Sequence, residues 1–312
     1  MPGMPRVASI GECMIELRHR SERDLELAFG GDTLNTAVYL ARLSKKRGVS
    51  VDYVTALGDD AYSERMLAMW QAEDVGTALV ARLPGKLPGL YTIRTDAQGE
   101  RSFTYWRSAS AAREMLKDGR AERLRAALAG YDLLYLSGIT LSILDPPQRA
   151  ALLALAEAVR AAGGRVAFDS NYRPVGWPDR ETARQSFDEM LMRTDIALPT
   201  LDDDQALFGV ADAAAAADRL HRLGVAEVAI KLGRHGCFLS SALGTGEVEA
   251  VPVDEVVDST AAGDSFNAGY LAARLLGQEP EAAARLGNRL AARVIAHPGA
   301  VVPAEASADI TL

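Results

Sequence analysis

Cysteine is scarce in this sequence, because only Cys13 and Cys237 occur in 312 residues, far apart and inside apolar segments. This spacing excludes a disulfide-stabilised scaffold and predicts two buried free thiols, as expected in a reducing cytoplasm. Histidine is also rare and scattered, so no Cys/His pattern for zinc is present. The four histidines are His19, His221, His235 and His297.

Long hydrophobic runs and basic clusters are also missing. No uninterrupted apolar run reaches the roughly 20 residues that cross a bilayer, and the first residues lack the apolar core of a signal peptide. The net charge is −8, and the longest run of Lys and Arg is Lys45-Lys46-Arg47. We therefore expect no membrane partner, no nucleic-acid partner and a cytoplasmic location.

Strand and helix patterns alternate along most of the chain, which predicts an α/β fold with a mostly parallel central sheet and helices on both faces. The segment 78–107 differs, because it consists of short strand patterns with turns at 84–85, 88–89 and 97–99. We expect this segment and residues of about 12–20 to form a small β-sheet lid on a single domain spanning 1–312. The predicted strands are 6–17, 51–57, 133–136, 165–169, 196–198 and 227–232, and the predicted helices include 33–46, 61–74 and two near the C-terminus.

The segment 258–271 carries the clearest chemical signal. Ala261, Ala262 and Gly263 permit a tight turn where a helical pattern begins, so backbone N–H groups and the positive end of the helix dipole would face an anion. Asp264 follows in the first helical turn and would place a carboxylate beside a bound phosphate. An ordinary helix N-cap fits the same residues, so this segment alone leaves both interpretations open.

A glycine pair precedes the first predicted helix. Gly30 and Gly31 permit close approach of a ligand to the backbone, and Asn35, one turn later, can both donate to and accept from a polyol. A plain helix start capped by Asp32 or Thr33 is the alternative.

A second glycine-containing loop, 231–236, follows a predicted strand. Gly233 and Gly236 flank a loop that suits a nucleotide, although a plain turn has the same pattern. No Gly-x-x-x-x-Gly-Lys-Ser/Thr segment occurs, which excludes a P-loop. No Gly-x-Gly-x-x-Gly follows the first strand either, which disfavours a nucleotide-dependent oxidoreductase.

Over its fourteen positions, 258–271 resembles the C-terminal motif of the ribokinase-like (PfkB-type) carbohydrate kinases. The resemblance implies the three-layer α/β/α ribokinase-like fold, ATP and Mg²⁺ as cofactors, and Asp264 as the base that accepts a hydroxyl proton. Because Asp264 lies at a helix N-terminus, we expect its pKa to be lowered. Catalytic residues implied with it are Ala261, Ala262 and Gly263, and the nucleotide-binding residues implied are Asn171, Lys231, Gly233, Arg234, Gly236, Ala261, Ala262, Gly263 and Asn288.

The resemblance also implies residues that act on metal ions and an oligomeric state. Thr200 and Asp203 replace the family's usual Asn and Glu, and Asp203 would act on Mg²⁺ through water. A monovalent cation near Asp258 and a homo-oligomer formed through the lid are further expectations. Asn288 would lie near adenine, although a solvent-facing helix position is the alternative.

Six segments resemble one sub-family, the 2-keto-3-deoxygluconate kinases: 11–17, 30–36, 87–91, 105–107, 135–139 and 169–174. Arg107 and Arg173 each stand beside an aromatic residue, and two guanidinium groups suit a carboxylate with an adjacent keto oxygen. A site that leaves two buried arginines unpaired when a neutral sugar binds would discriminate against neutral sugars. An isolated arginine in a surface ion pair is the alternative for each. The substrate-binding residues implied are Gly31, Asp32, Asn35, Tyr91, Tyr105, Arg107, Arg173 and Asp264.

The implied activity is ATP-dependent phosphorylation of 2-keto-3-deoxygluconate at its C6 hydroxyl. Two alternatives stay open at this point: a ribokinase-like kinase of a neutral sugar such as fructose, and a catalytically inactive sugar sensor on the same scaffold.

Overall fold

The computed structural model describes residues 4–95 and 101–312. Its strands are β1 (Arg6–Ile10), β2 (Met14–His19), β3 (Leu25–Gly30), β4 (Ser50–Leu57), β5 (Val75–Gly76), β6 (Val80–Arg82), β7 (Leu90–Thr95), β8 (Arg101–Trp106), β9 (Leu133–Ser137), β10 (Arg165–Asp169), β11 (Ile196–Ala197), β12 (Glu227–Lys231), β13 (Cys237–Ser241) and β14 (Gly244–Val248). Its helices are α1 (Asp32–Ser44), α2 (Ala61–Ala72), α3 (Arg120–Leu128), α4 (Gly138–Ile143), α5 (Pro146–Ala161), α6 (Arg180–Leu191), α7 (Leu201–Phe208), α8 (Ala213–Arg222), α9 (Ala262–Leu275) and α10 (Pro280–Ile295).

The central sheet has the strand order β14-β13-β12-β11-β10-β9-β1-β4-β5, with β6 also paired to β4. Pairing is parallel from β12 through β5, which confirms the predicted α/β class. At the other edge β12, β13 and β14 are antiparallel, and the sequence analysis did not predict the last two strands.

Each central strand is buried on both faces, which explains its nearly continuous apolar sequence. In β9, Leu134 and Leu136 belong to one apolar core, whereas Leu133 and Tyr135 belong to the core on the opposite face. This alternation follows from the two-residue period of a strand. Helices therefore cover both faces of the sheet, in three layers.

The second sheet has four strands in the order β3-β2-β7-β8, and we call it the lid sheet. It differs from the expected lid in two respects. The strand Leu25–Gly30 belongs to it but was not predicted, whereas Val80–Arg82, expected in the lid, pairs with β4 of the central sheet. The turn predicted at 97–99 lies outside the described residues.

The packing of α1 against α9 brings the two glycine-rich segments together, although they are more than 220 residues apart in sequence. α9 also packs closely on α10, where a Cβ on Gly269 would lie 2.9 Å from the Cα of Gly287. Substitution of either glycine would push these helices apart. The positions of Asn35 and Asp264 therefore depend on this helix layer.

Two further expectations can be compared with the structure. Cys13 and Cys237 are both free and buried, as predicted. In the ranges 4–95 and 101–312, every helix is too short or too polar to traverse a lipid bilayer.

Candidate active site

The segment predicted to bind an anion lies at the start of α9. Ala261 precedes the helix with φ of 61°, a left-handed conformation that is unusual for a residue with a side chain. Such strain persists only where the surrounding structure enforces it, and it is common at binding sites. Ala262 and Gly263 then begin the helix. The Ala262 N–H donates to the Ser259 carbonyl oxygen at 3.3 Å, whereas the Gly263 N–H is among those that a helix leaves without an intrahelical partner at its N-terminus. We call the segment 261–263 the anion cradle, after its predicted role.

Asp264 lies buried in the first turn of α9, and its Oδ2 accepts a hydrogen bond from Asn35 Nδ2 at 2.8 Å. Burial raises the pKa of Asp264 to about 7, and the negative charge of Asp32 adds to this effect. The expected lowering of this pKa is therefore wrong, because burial and neighbouring carboxylates outweigh the helix dipole and the hydrogen bond. A carboxyl with this pKa is suited to accept a proton near neutral pH.

A buried ammonium group lies against the cradle. Lys231, at the end of β12, donates from Nζ to Asp169 Oδ2 at 2.6 Å and to Asn267 Oδ1 at 3.2 Å. The same Nζ lies 3.5 Å from the position that a Cβ on Gly263 would occupy. Lys231 thus lies at the buried end of β12, beside the anion cradle. The glycine-containing loop predicted at 231–236 consists of the residues that follow it.

Sequence reasoning gave no role to Asp169 or Asn267. Asn267 Nδ2 donates to Asp169 Oδ2 at 2.7 Å and to the Tyr135 hydroxyl at 3.0 Å, which fixes the carboxylate that holds Lys231. One signal for Asp169 was available, because ligands of open α/β sheets bind at the carboxyl ends of the strands and Asp169 ends β10.

The loop after Lys231 needs its glycines for its backbone shape. Gly233 has φ of 57° and Gly236 has φ of 94°. A Cβ on Gly236 would also lie 2.0 Å from the carbonyl oxygen of Val248, so a side chain does not fit there. Arg234 is exposed between them, with Nε 3.3 Å from His235 Nε2.

Asn288 on α10 is buried, so the solvent-facing alternative is wrong. Its Nδ2 donates to the carbonyl oxygens of Val248 and Glu249 at 3.2 and 2.9 Å. These bonds hold the chain that runs from β14 toward the anion cradle. Beside them lies a cavity of about 600 Å³, between residues 251–257 and the C-terminal half of α10.

Asp258 organises the loop before the cradle. Its Oδ1 accepts from the Thr260 N–H at 2.8 Å and its Oδ2 from the Gly299 N–H at 3.0 Å. Arg18 of the lid sheet lies 3.7 Å from the same Oδ2, so a cationic group is already close to this carboxylate.

A larger cleft of about 1190 Å³ opens between the lid sheet and the central sheet. Five of the predicted substrate residues line this cleft: Gly31, Asp32, Tyr105, Arg107 and Arg173. Asn171, which the resemblance assigns to the nucleotide, donates from Nδ2 to Asp32 Oδ2 at 2.6 Å and has φ of 33°. Tyr91 is buried, its hydroxyl donates to Glu16, and its ring centroid lies 5.8 Å from that of Tyr105.

Both arginines in the cleft already have carboxylate partners in this structure. Arg107 donates from Nε to Glu12 Oε2 at 2.8 Å, and its Nη2 bonds to the same oxygen. Arg173 lies 3.2 Å from Asp203, and its side chain is 54% exposed. Arg107 is therefore the more confined of the two cations, and sequence reasoning did not identify its partner Glu12.

The arginine beside Asp203 also bears on the predicted metal role. Burial raises the pKa of Asp203, and the charge of Arg173 opposes this rise. Within the described ranges, no three His, Cys, Asp or Glu side chains are grouped closely enough to hold a metal ion by themselves. Mg²⁺ in phosphoryl-transfer sites usually takes one or two carboxylates with phosphate and water, and Asp203 is compatible with that mode.

Comparisons with known proteins show which proteins this chain is similar to. The chain is 50% identical over 303 residues to a 2-dehydro-3-deoxygluconokinase of Dickeya dadantii, covering 96% of this chain and 97% of the relative. It is 48% identical over 305 residues to the 2-dehydro-3-deoxygluconokinase of Escherichia coli K12, covering 96% and 98%. The crystal structure of a PfkB protein from Polaromonas superposes with a TM-score of 0.84 at 27% identity, covering 98% and 99%.

The family model for pfkB family carbohydrate kinases matches residues 4–307, nearly the whole chain. The match includes the anion cradle, Asp264 and the lid sheet. The chain therefore belongs to the pfkB family of carbohydrate kinases.

Proposed function

We propose that this protein transfers the γ-phosphoryl group of ATP to the C6 hydroxyl of 2-keto-3-deoxygluconate, producing 2-keto-3-deoxy-6-phosphogluconate and ADP. The observation that carries this proposal is the position of Asp264, which directly follows the anion cradle and is hydrogen-bonded to Asn35, four residues after the cleft residue Gly31. In this proposal a proton acceptor lies between a phosphate site and a polyol site. The names of the 42–50% identical relatives support the same substrate.

In this reaction Asp264 acts as the acceptor of the substrate's hydroxyl proton. The C6 oxygen attacks the γ-phosphorus, the bond between that phosphorus and the β–γ bridging oxygen breaks, and the hydroxyl proton passes to Asp264. ADP leaves with the bridging oxygen. Because the transition state of phosphoryl transfer is loose, positioning and charge stabilisation by 261–263 and Lys231 contribute more than proton removal.

The nucleotide lies along the residues before α9 in this proposal. The cavity beside 251–257 accommodates the base, since Asn288 fixes the backbone that enters it and the chain continues from it to the cradle. Lys231 faces the phosphates from the opposite side, and Gly233, Arg234 and Gly236 form the adjoining loop.

Mg²⁺ bound to the phosphates would supply charge neutralisation, with Asp203 as an outer ligand through water. This assignment fits a site rich in carboxylates, since the charges of Asp32 and Asp169 both act on Asp264, and the charge of Asp169 also acts on Asp203. A monovalent cation beside Asp258 is also proposed, and its test is turnover in potassium compared with turnover in tetramethylammonium.

The acid end of the substrate lies at Arg107 and the hydroxyl end at Asp264. Arg107 can bind a substrate carboxylate while Glu12 holds its other edge, because a guanidinium group has five donors. Asn35 contributes at the hydroxyl end, since its buried Oδ1 has no hydrogen-bond partner among the described residues. Tyr105 and Arg173 complete the cleft, and Tyr91 supports Tyr105 from the same sheet.

Closure of the lid sheet would exclude water and limit ATP hydrolysis. We also propose that two copies pair through this sheet, whose edge strands are β3 and β8 and which exposes Leu25, Phe103 and Trp106. Two buried free thiols are compatible with a cytoplasmic location.

A coupled assay of ADP formation tests the proposed function directly. 2-Keto-3-deoxygluconate, fructose and ribose are compared at equal concentration, with ATP alone as the control. We expect kcat/KM for the sugar acid to exceed the values for both neutral sugars by at least about 100-fold, because a charged donor pairs only with the acid. Faster turnover of fructose or ribose would identify a neutral-sugar kinase, and no turnover of any sugar would favour a sensor.

A further inference from the structure

Glu12 is a buried carboxylate of which the proposed function uses only one oxygen, as the partner of Arg107. It follows β1, lines the cleft, and its side chain has 0% exposed surface. Oε2 accepts both hydrogen bonds from Arg107. Oε1 is enclosed and has no hydrogen-bond partner among residues 4–95 and 101–312. Oε2 of this carboxylate thus has a hydrogen-bond donor, and Oε1 has none among the described residues.

A buried carboxylate oxygen without a donor is unfavourable, so it calls for a partner such as a water molecule or a ligand. Two details agree with a polar ligand here. A Cβ on Gly89 would lie 2.8 Å from Oε1, so only a residue without a side chain leaves room beside this buried oxygen. Ser110, on the wall of the same cleft, also has a buried hydroxyl without a partner in the described ranges.

We propose that Glu12 Oε1 accepts a hydrogen bond from the C4 hydroxyl of the sugar acid, so that Glu12 determines specificity between 2-keto-3-deoxygluconate and its C4 epimer, 2-keto-3-deoxygalactonate. This proposal rests on the proposed function. Arg107 places the substrate carboxylate, and Oε1 belongs to the same carboxylate group that holds Arg107, so Oε1 lies at the acid end. C3 carries no hydroxyl, and the first donor along the carbon chain is therefore on C4.

The rigidity of this pair makes it selective. Two hydrogen bonds to Arg107 and full burial fix the Glu12 carboxylate, so it cannot follow a hydroxyl that points elsewhere. Inversion at C4 leaves the hydroxyl and Oε1 both without a partner in a site closed to water. A site built to pair with a hydroxyl discriminates strongly against a ligand that cannot supply it.

The test compares Glu12→Gln with wild-type protein on the two epimers and on a 4-deoxy analogue. Glutamine has the same shape but lacks the charge. We expect wild type to prefer the gluconate epimer by at least about 30-fold, and Glu12→Gln to reduce this preference to about threefold or less. Removal of the C4 hydroxyl should weaken kcat/KM in wild type and have little further effect in the variant. KM for ATP should stay within about twofold, because the nucleotide binds elsewhere.

Glu26→Gln is the matched control, since Glu26 is on the neighbouring strand β3 in an exposed pair with Arg20. It should retain the wild-type preference. If Glu12→Gln is unfolded in a thermal melt, Glu12→Asp replaces it, because it keeps the charge near Arg107 and withdraws the oxygen by one methylene.

Three outcomes would count against the inference or its basis. A wild-type protein that does not distinguish the epimers overturns it. So does a Glu12 variant that loses activity equally on both epimers, since that result indicates a role only in holding Arg107. Wild-type protein that phosphorylates neither epimer but accepts fructose would instead overturn the proposed function.

Discussion

Asn35 donates a hydrogen bond to Asp264 across 2.8 Å, and this bond joins the first helix of the chain to the helix that begins at the anion cradle. Asn35 is buried on α1, and the adjacent Thr36 hydroxyl donates to the Asp264 carbonyl oxygen at 3.1 Å. Asp264 is thereby fixed in side chain and backbone by one helix. Residues near the polyol end of the cleft thus set the position of the proposed base.

The raised pKa of Asp264 predicts how activity depends on pH. Below about pH 7 the carboxyl is protonated in the folded protein and cannot accept the substrate proton. We expect kcat/KM for the sugar acid to rise with pH through this region and level off above it. A steady-state profile from pH 5 to 9 with saturating ATP measures this. A profile that is already flat at pH 5 would contradict the assignment.

The free energy of unfolding should fall with rising pH, whereas kcat/KM should rise. The folded protein binds the Asp264 proton more tightly than the unfolded chain, so this contribution to stability is full near pH 4 and is lost as pH rises through about 7. Asp264→Asn removes the ionisation and should raise the free energy of unfolding by on the order of 1–3 kcal/mol at pH 8.5. At pH 4 the difference should nearly vanish. Denaturant melts at both pH values check this, and equal differences would refute it.

Lys231 should contribute to stability and to turnover in separable ways. Lys231→Met leaves buried Asp169 unpaired, which should cost about 3–5 kcal/mol of stability. The double variant Lys231→Met, Asp169→Asn removes both charges and should recover most of this loss. Turnover should stay at least about 100-fold below wild type in the double variant, because the phosphate loses a cation. Recovery of both stability and turnover would show that the pair is only structural.

Arg107 and Arg173 should differ in importance. Arg107→Ala should raise KM for the sugar acid roughly 10–100-fold, because a confined charged donor is lost. Arg173→Ala should raise it only about 2–10-fold, since an exposed guanidinium group interacts through solvent. KM for ATP is the internal control. An equal increase in both KM values would place these arginines outside the substrate site.

The sequence predicts the parts of this protein that depend on local pattern. The start of α9 at Ala262, the burial of both thiols and the alternating strands follow from residue types at fixed spacing. Local spacing does not predict which side chains pair with each other. Lys231 meets Asp169 across 62 positions and Arg107 meets Glu12 across 95, so only the fold brings these charges together.

The pKa of Asp264 illustrates the same limit. The local sequence shows a helix N-terminus, which lowers a carboxyl pKa, whereas burial and the charge of Asp32 raise it. Those two causes come from tertiary packing. The strand Leu25–Gly30 was missed for a related reason, since its edge position leaves Leu25 and Glu26 exposed and weakens the hydrophobic alternation.

The most direct test of the account compares wild-type protein with Asp264→Asn on 2-keto-3-deoxygluconate, with the phosphorylated carbon of the product identified by ³¹P and ¹³C NMR. We predict phosphate on C6, and a kcat for Asp264→Asn that is lower by roughly 10²–10⁴, while ATP binding and the thermal melt show an intact protein. Phosphate on another carbon, or turnover by Asp264→Asn within threefold of wild type, would contradict the account.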